Sequence, residues 1–453
     1  MRLFFVVYLF LSVFLLSGCL DHKIPEDSGS RERIQKLIDE HKFDPAHTAR
    51  SPNKNADFVD HLNYAMVRNP EIQGLKQAVR VANADIESST ALLKPKVSGS
   101  SSLGGVSSDL STGFVEAGAA VNISLAQMLF DGGVLVGGVK IAQVEAELAR
   151  AKLATAVNRI GAEASNAWVN MWLAQGILDD STSLSSEIQP YVTQLERMAS
   201  SGFIDRSILD QVTSKLLDIE VKVDEADLAA RVAMLEFEKH FPSVDTQGLE
   251  LPTPLLINNP EKGPITQLVD IPAIEESALG VVLAEERVQM VRAKYSPEVQ
   301  IQLGASSPMD PNDSTSGQAG ILVKYDFFDG GAKDAELLRS EESLAKAKIT
   351  LEFVKENALQ AIKTSRARVI HSRGALELAE KRLPIIDQQI KVAESQIQTG
   401  QVNVAKVFEA KIQRRDLTHQ IRRERANLTI SRFNLAAALG VLGNELDFIN
   451  DRK

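Results

Sequence analysis

The stretch LAQMLFDGG, Leu125–Gly133, decides the fold, because it has a counterpart in VKYDFFDGG, Val323–Gly331. The shared FDGG words lie 198 positions apart, and so do two later glycines, Gly202 in SSGFID and Gly400 in QTGQVN. Upstream, Pro70 and Pro95 are matched by Pro272 and Pro297, Ile72 by Ile274 and Ala91 by Ala293, all at an offset of 202. A fixed offset across several landmarks marks an internal repeat. The change from 202 to 198 places four extra residues of the first half between Pro95 and Phe130, where a loop is expected.

The text around each FDGG gives the elements. Before it, Val115, Ala117, Ala119, Val121, Ile123 and Leu125 alternate with smaller or polar residues; in the second half Ala319, Ile321, Val323, Tyr325 and Phe327 do the same. Val299, Ile301 and Leu303 alternate upstream, and Val97, Gly99, Ser101 and Leu103 hold the matching place in the first half. Period two predicts strands, so each half holds one hairpin of roughly ten-residue strands, the length a tilted strand needs to cross a bilayer. The turn-rich GGVSSDLSTG and SSPMDPNDSTSG are the hairpin loops.

After each FDGG comes a helical run without proline for more than fifty residues, with apolar positions such as Ile141, Val144, Leu148 and Leu337, Leu344, Ile349, Leu351 at helical spacing. Each would approach 100 Å at about 1.5 Å per residue. Gly202 and Gly400 then turn the chain, and a second helix returns through Leu209, Val212, Leu216, Ile219 and through Val407, Ile412, Leu417, Ile421. An amphipathic helix over Phe58 to Leu93 opens the first half, with Asn69-Pro70 as a local break.

Composition agrees with this plan. Among 453 residues, hydrophobic residues make up 44% and charged residues 24%, which fits a folded chain; aromatics are only 5%. The formal net charge of -10 argues against a nucleic-acid partner, since phosphate contact needs a basic face. Cys19 is the one cysteine, which excludes an internal disulfide or a cysteine metal cluster. It ends a short apolar run, Leu3 to Leu16, that follows Arg2 and is too short to span a bilayer comfortably. No HExxH, GxSxG or phosphate-loop motif is present to support an enzyme, and no cofactor is expected. Trp168 and Trp172 are read as helix packing, and the basic RRERAN run with Arg414 and Arg415 as a solvated helix face.

Four strands cannot close a barrel, and an open edge in lipid leaves backbone groups unpaired, so several copies must share one. Three copies give twelve strands. The expected fold is mainly α with a small transmembrane β part. Duplicated coiled-coil hairpins form an α-barrel, and four strands per protomer enter a twelve-stranded trimeric barrel.

The ordered set of words resembles the TolC family of outer-membrane efflux and type I secretion ducts. NPEIQGLKQAVRVANADIESSTALLKPKV is similar to the family's opening helix and strand, LAQMLFDGG and VKYDFFDGG to its strand-to-helix words, and NLAAALG to its closing one; the likeness runs from about Phe58 to Gly440. It implies a homotrimer in the outer membrane, passively passing substrate from an inner-membrane RND or ABC pump through a periplasmic adaptor, the membrane fusion protein. Leu16-Ser17-Gly18-Cys19 resembles a lipobox, which implies lipidation of Cys19, and Leu20 after it favours the outer membrane.

The resulting plan is a signal peptide at 1–18, a lipidated N-terminus and tether at 19–57, repeats at 58–240 and 271–440, a proline-rich linker at 241–270 and a tail at 441–453. By resemblance, the tips Gly202, Phe203, Ile204 and Gly400, Gln401, Val402 meet the adaptor. Glu409 matches an acid of the family's entrance, while Lys406 stands where the family often has another acid, which argues against a strongly cation-binding entrance. Asp205, Arg206 and Asp210 are further gate candidates. In each FDGG the aromatic ends a membrane strand, Asp131 and Asp329 cap the next helix, and Gly132, Gly133, Gly330 and Gly331 allow the redirection. A lipid-anchored periplasmic coiled-coil scaffold without a channel is the rival reading.

Overall fold

The structure is a computed structural model that describes Lys36 and residues 57–106, 116–242, 244–252, 271–308, 315–398 and 404–445. All but Lys36 belong to one compact unit, Ala49–Lys453. Cys19, the segment before residue 36, most of the tether, the hairpin loops, linker residues 253–270, the tip at 399–403 and the tail beyond 445 lie outside the described residues.

The first repeat comprises α1 (Phe58–Arg68), α2 (Pro70–Ala91), β1 (Lys96–Val106), β2 (Glu116–Phe130), α3 (Val134–Ser200) and α4 (Arg206–His240). The second comprises α5 (Pro272–Ala293), β3 (Glu298–Pro308), β4 (Ser316–Lys324), α6 (Ala332–Gln398) and α7 (Val404–Ala438), followed by the short α8 (Leu442–Glu445). Equivalent helices match to the residue. α3 and α6 have 67 residues each, α4 and α7 have 35, and α2 and α5 have 22.

The opening helix breaks at Asn69-Pro70, for two local reasons. Asn69 takes an extended conformation and its Oδ1 accepts from the Glu71 and Ile72 amides at 2.9 and 3.2 Å, capping α2. Pro70 at the first helical position has no N–H to lose.

The four strands form one antiparallel sheet in the order β1-β2-β3-β4, leaving β1 and β4 with a single neighbour each. Register places Val97 opposite Leu125, Leu125 opposite Leu303, and Ile301 opposite Ile321, all on one face. Ser98 opposite Ser124, Asn122 opposite Ser306 and Gln302 opposite Gly320 occupy the other. β4 is shorter than its alternation suggests: it stops at Lys324, before Tyr325 and Phe327. Lys324 pairs with Glu298, the first residue of β3, so the chain beyond it has no partner backbone to extend the ladder. β2 does reach its aromatic, Phe130, through a register shift between Met128 and Phe130.

The repeats are separate in sequence but not in space. α3 of the first repeat packs against both α5 and α7 of the second. Near the level where the linker begins, Phe58, Trp168, Phe237, Phe241 and Phe433 form an aromatic core with Leu62 and Met66. The Trp168 indole donates to the Glu250 carbonyl at 3.0 Å, which binds the start of the linker to α3. Truncating a fully buried ring such as Phe237 to alanine would cost about 3–5 kcal/mol.

Candidate functional site

At the first strand-to-helix turn, Gly132 and Gly133 have φ of 70° and 99°, the left-handed region that favours glycine. Asp131 reaches across them: its Oδ1 accepts from the Gly133 amide at 2.8 Å and its Oδ2 from the Leu135 amide at 2.6 Å. The second turn repeats this with Gly330 and Gly331 at 72° and 88°, and Asp329 accepting from the Gly331 and Lys333 amides at 3.0 and 2.9 Å. Two orphan donors of each long helix are thereby satisfied, and a carboxylate sits at the positive end of its dipole. Phe130 closes β2, whereas Phe328 stands four residues beyond β4 and is 89% exposed.

At the far end, α3 finishes in a Schellman turn. The Gly202 amide donates to the Ala199 carbonyl at 3.1 Å and the Phe203 amide to the Met198 carbonyl at 2.9 Å, with Gly202 at φ 72°. Phe203 is 82% exposed, while Ile204 is half-buried against the apolar cluster that includes Leu195 and Val212. Asp205 caps α4, its Oδ1 accepting from the Ser207 amide at 2.8 Å, and this bonding holds its carboxyl below the usual range. Arg206 and Asp210 are exposed. Their counterparts Gly400, Gln401 and Val402 lie outside the described residues. Lys406 is exposed, and Glu409 forms an ion pair with Lys215 of α4, so the acid is partly neutralised where it stands.

The basic run is a solvated face only in part: Arg414, Arg423 and Arg425 are exposed, but a neighbouring side of α7 is not. Lys411, Arg415, His419 and Arg422 descend one side of α7 at spacings of four, four and three. Lys411, Arg415 and His419 are buried. Arg422 donates to Asp180 of α3 at 2.6 and 3.2 Å and lies over the Trp172 ring; Gly176 leaves room for it, since a Cβ there would meet the guanidinium at 2.6 Å. Lys411 bridges Glu187 of α3 and Glu394 of α6. Arg414 and Arg425 pair with Asp387 and Glu380 of α6. Arg415 bonds Asp416 but keeps Nη1 buried without a partner, as is Nε2 of His419. Burial, with Arg415 beside it, pushes His419 down to about 4; Asp180 opposes this, Arg423 adds to it and Asp416 opposes it. The readable signal was the cation spacing on α7 against Asp180 and Glu187, seven apart on α3.

Among the described residues no group of histidines, cysteines and acids is arranged to hold a metal ion, and no helix is long and apolar enough to cross a membrane.

The comparisons agree with this geometry. Three solved structures share the fold. The CmeC outer membrane channel of Campylobacter jejuni is 14% identical with a TM-score of 0.74, covering 87% of this chain and 89% of its own. The outer membrane protein VceC of Vibrio cholerae is 14% identical with a TM-score of 0.74, covering 84% of this chain and 96% of its own. The MtrE outer membrane channel of Neisseria gonorrhoeae, in its open state, is 13% identical with a TM-score of 0.71, covering 84% and 88%. A search of curated protein sequences finds no significant match. The sequence profile of the outer membrane efflux protein family matches residues 62–229 and 267–441, most of the chain and both of its repeats, and the chain therefore belongs to that family.

Proposed function

We propose that this chain is the exit duct of a tripartite efflux or type I secretion system, seated in the outer membrane and reaching into the periplasm. The observation that carries the proposal is the sheet. One face is apolar and exposed at Val97, Ile123, Leu303 and Ile321, while the other carries serine, asparagine and glutamine. Its two edge strands each have a free side. An apolar face without cover suits lipid, a polar face suits a water-filled lumen, and unpaired edges are excluded from lipid unless other copies complete the ring. Three copies supply twelve strands.

In this reading transport through the duct is passive and is driven by an inner-membrane pump, of the RND or ABC class, through an adaptor. The exposed Phe203 and the Schellman turn at Gly202 are the adaptor-facing tip, together with Gly400 to Val402. Asp205, Arg206, Asp210, Lys406 and Glu409 supply the charge of the entrance.

Purified protein reconstituted in planar bilayers should give discrete conductance steps from a detergent-stable, heat-modifiable oligomer. A monomer without conductance in any detergent would reject the duct and leave the periplasmic scaffold.

A further inference from the structure

The polar face of the sheet also carries charge, and only at particular places. Lys96 opens β1, Glu298 opens β3 and Lys324 closes β4, so all three stand at the end of the sheet next to the helices. They alternate in step with Ser98, Gln302 and Gln318, which puts them on the serine and glutamine face. All three are exposed. Among the described residues no acid or base stands on the apolar face of the strands.

The duplication shows which of these charges is uncompensated. At the offsets of 202 and 198, Lys96 corresponds to Glu298 and Ala126 to Lys324. Register pairs the same positions, with Lys96 opposite Ala126 in the first hairpin and Glu298 opposite Lys324 in the second. One hairpin sets acid against base, the other base against methyl. Opposed side chains have Cβ atoms about 5 Å apart, so Glu298 is placed to offset Lys324, whereas Lys96 has no acid opposite. The acids of the adjoining turns are engaged. Asp131 and Asp329 cap α3 and α6, and Asp326 has the Lys333 ammonium at 3.7 Å.

We infer that Lys96 gives the helix-side mouth of the strand lumen an excess of positive charge, and that this mouth favours anionic solutes, those carrying carboxylate, phosphate or sulfonate groups. The inference rests on the multi-copy duct and names the charge preference of its passage. Each copy brings two lysines and one glutamate to the mouth, so three copies leave an excess of three positive charges. Low-dielectric walls of one sign focus the field into a lumen and concentrate counter-ions there. Rings of lysine or arginine are a general device for anion preference. At the far end Lys406 is exposed and Glu409 is paired with Lys215, so these two positions set no acidic ring against it. The field of a charge reaches about 10 Å at 0.1 M salt and about 30 Å at 0.01 M. Low salt is the condition in which to read it.

The test reads reversal potentials of the full-length protein in planar bilayers, under a gradient of potassium chloride from about 0.1 M to about 0.01 M. Chloride should permeate in excess of potassium in the wild type. Lys96→Gln should lower the chloride-to-potassium ratio at least about twofold, and Lys96→Glu should invert the preference. Ala126→Glu, which gives the first hairpin the acid and base pairing of the second, should act like Lys96→Gln. Glu298→Gln should raise the ratio. At about 1 M salt, where the field reaches only about 3 Å, wild type and variants should converge. A conducting wild type that prefers potassium, or whose ratio is unmoved by Lys96→Gln, Lys96→Glu and Ala126→Glu, would overturn the charged mouth and leave the duct standing. Wild-type protein with no conductance in any detergent would overturn both.

Discussion

At the scale of single residues, the two FDGG turns look alike in backbone and differ in surroundings. A Cβ on Gly132 would meet the Ala293 carbonyl oxygen and the Ser296 Cβ, each at 2.4 Å, while one on Gly330 would meet nothing within 4 Å. Both have positive φ, so alanine costs about 1 kcal/mol of backbone strain at either. At Gly132 the overlap with the end of α5 adds a further ~1–3 kcal/mol, because backbone there cannot yield as a flexible side chain could. Gly132→Ala should therefore lower the urea midpoint of the dissociated chain clearly more than Gly330→Ala. Equal midpoints would show that the α5 end moves aside at little cost.

At the scale of elements, α7 carries the consequence of burying charge. His419 is neutral in its seam, with a pKa of about 4 against an ordinary 6.5. The unfolded chain then binds the proton more readily between those values, so stability rises with pH across that window and falls as the pH drops from 6.5 towards 4. At about 1.4 kcal/mol per unit the loss is on the order of 2–3 kcal/mol. In His419→Gln this part of the pH dependence should vanish, as read by thermal unfolding at pH 7, 5.5 and 4.5; an unaltered profile would assign the acid sensitivity elsewhere. The helices, their breaks and their lengths were legible in the sequence, since apolar spacing, Asn69-Pro70 and the glycine turns are local signals. The fate of Arg415 and Arg422 was not. Whether a cation is solvated or buried depends on acids such as Asp180, more than two hundred residues away, and periodicity along α7 shows a stripe without showing what faces it. The early end of β4 escaped for a similar reason, because alternation continues to Phe327 while pairing depends on where β3 begins.

At the scale of the whole molecule, anchoring is separate from assembly. We expect a lipid on Cys19 because the short apolar run before it ends in a lipobox-like sequence. Several acyl chains hold a protein firmly, one only marginally. Cys19→Ser should abolish incorporation of labelled fatty acid while oligomers still form, since the strands that would join copies belong to other segments of the chain; undiminished labelling would reject the lipid. The equal lengths of α3 and α6, and of α4 and α7, also constrain how such a chain can change over generations. Losing one residue from α3 alone would turn everything beyond it by about 100° and shorten one strut of the frame by about 1.5 Å against its twin. Both tips would then end at different heights and present different sides. The reach of this protein can therefore drift only in whole, mirrored steps, taken in four helices together, which makes its length a more conservative character than its sequence.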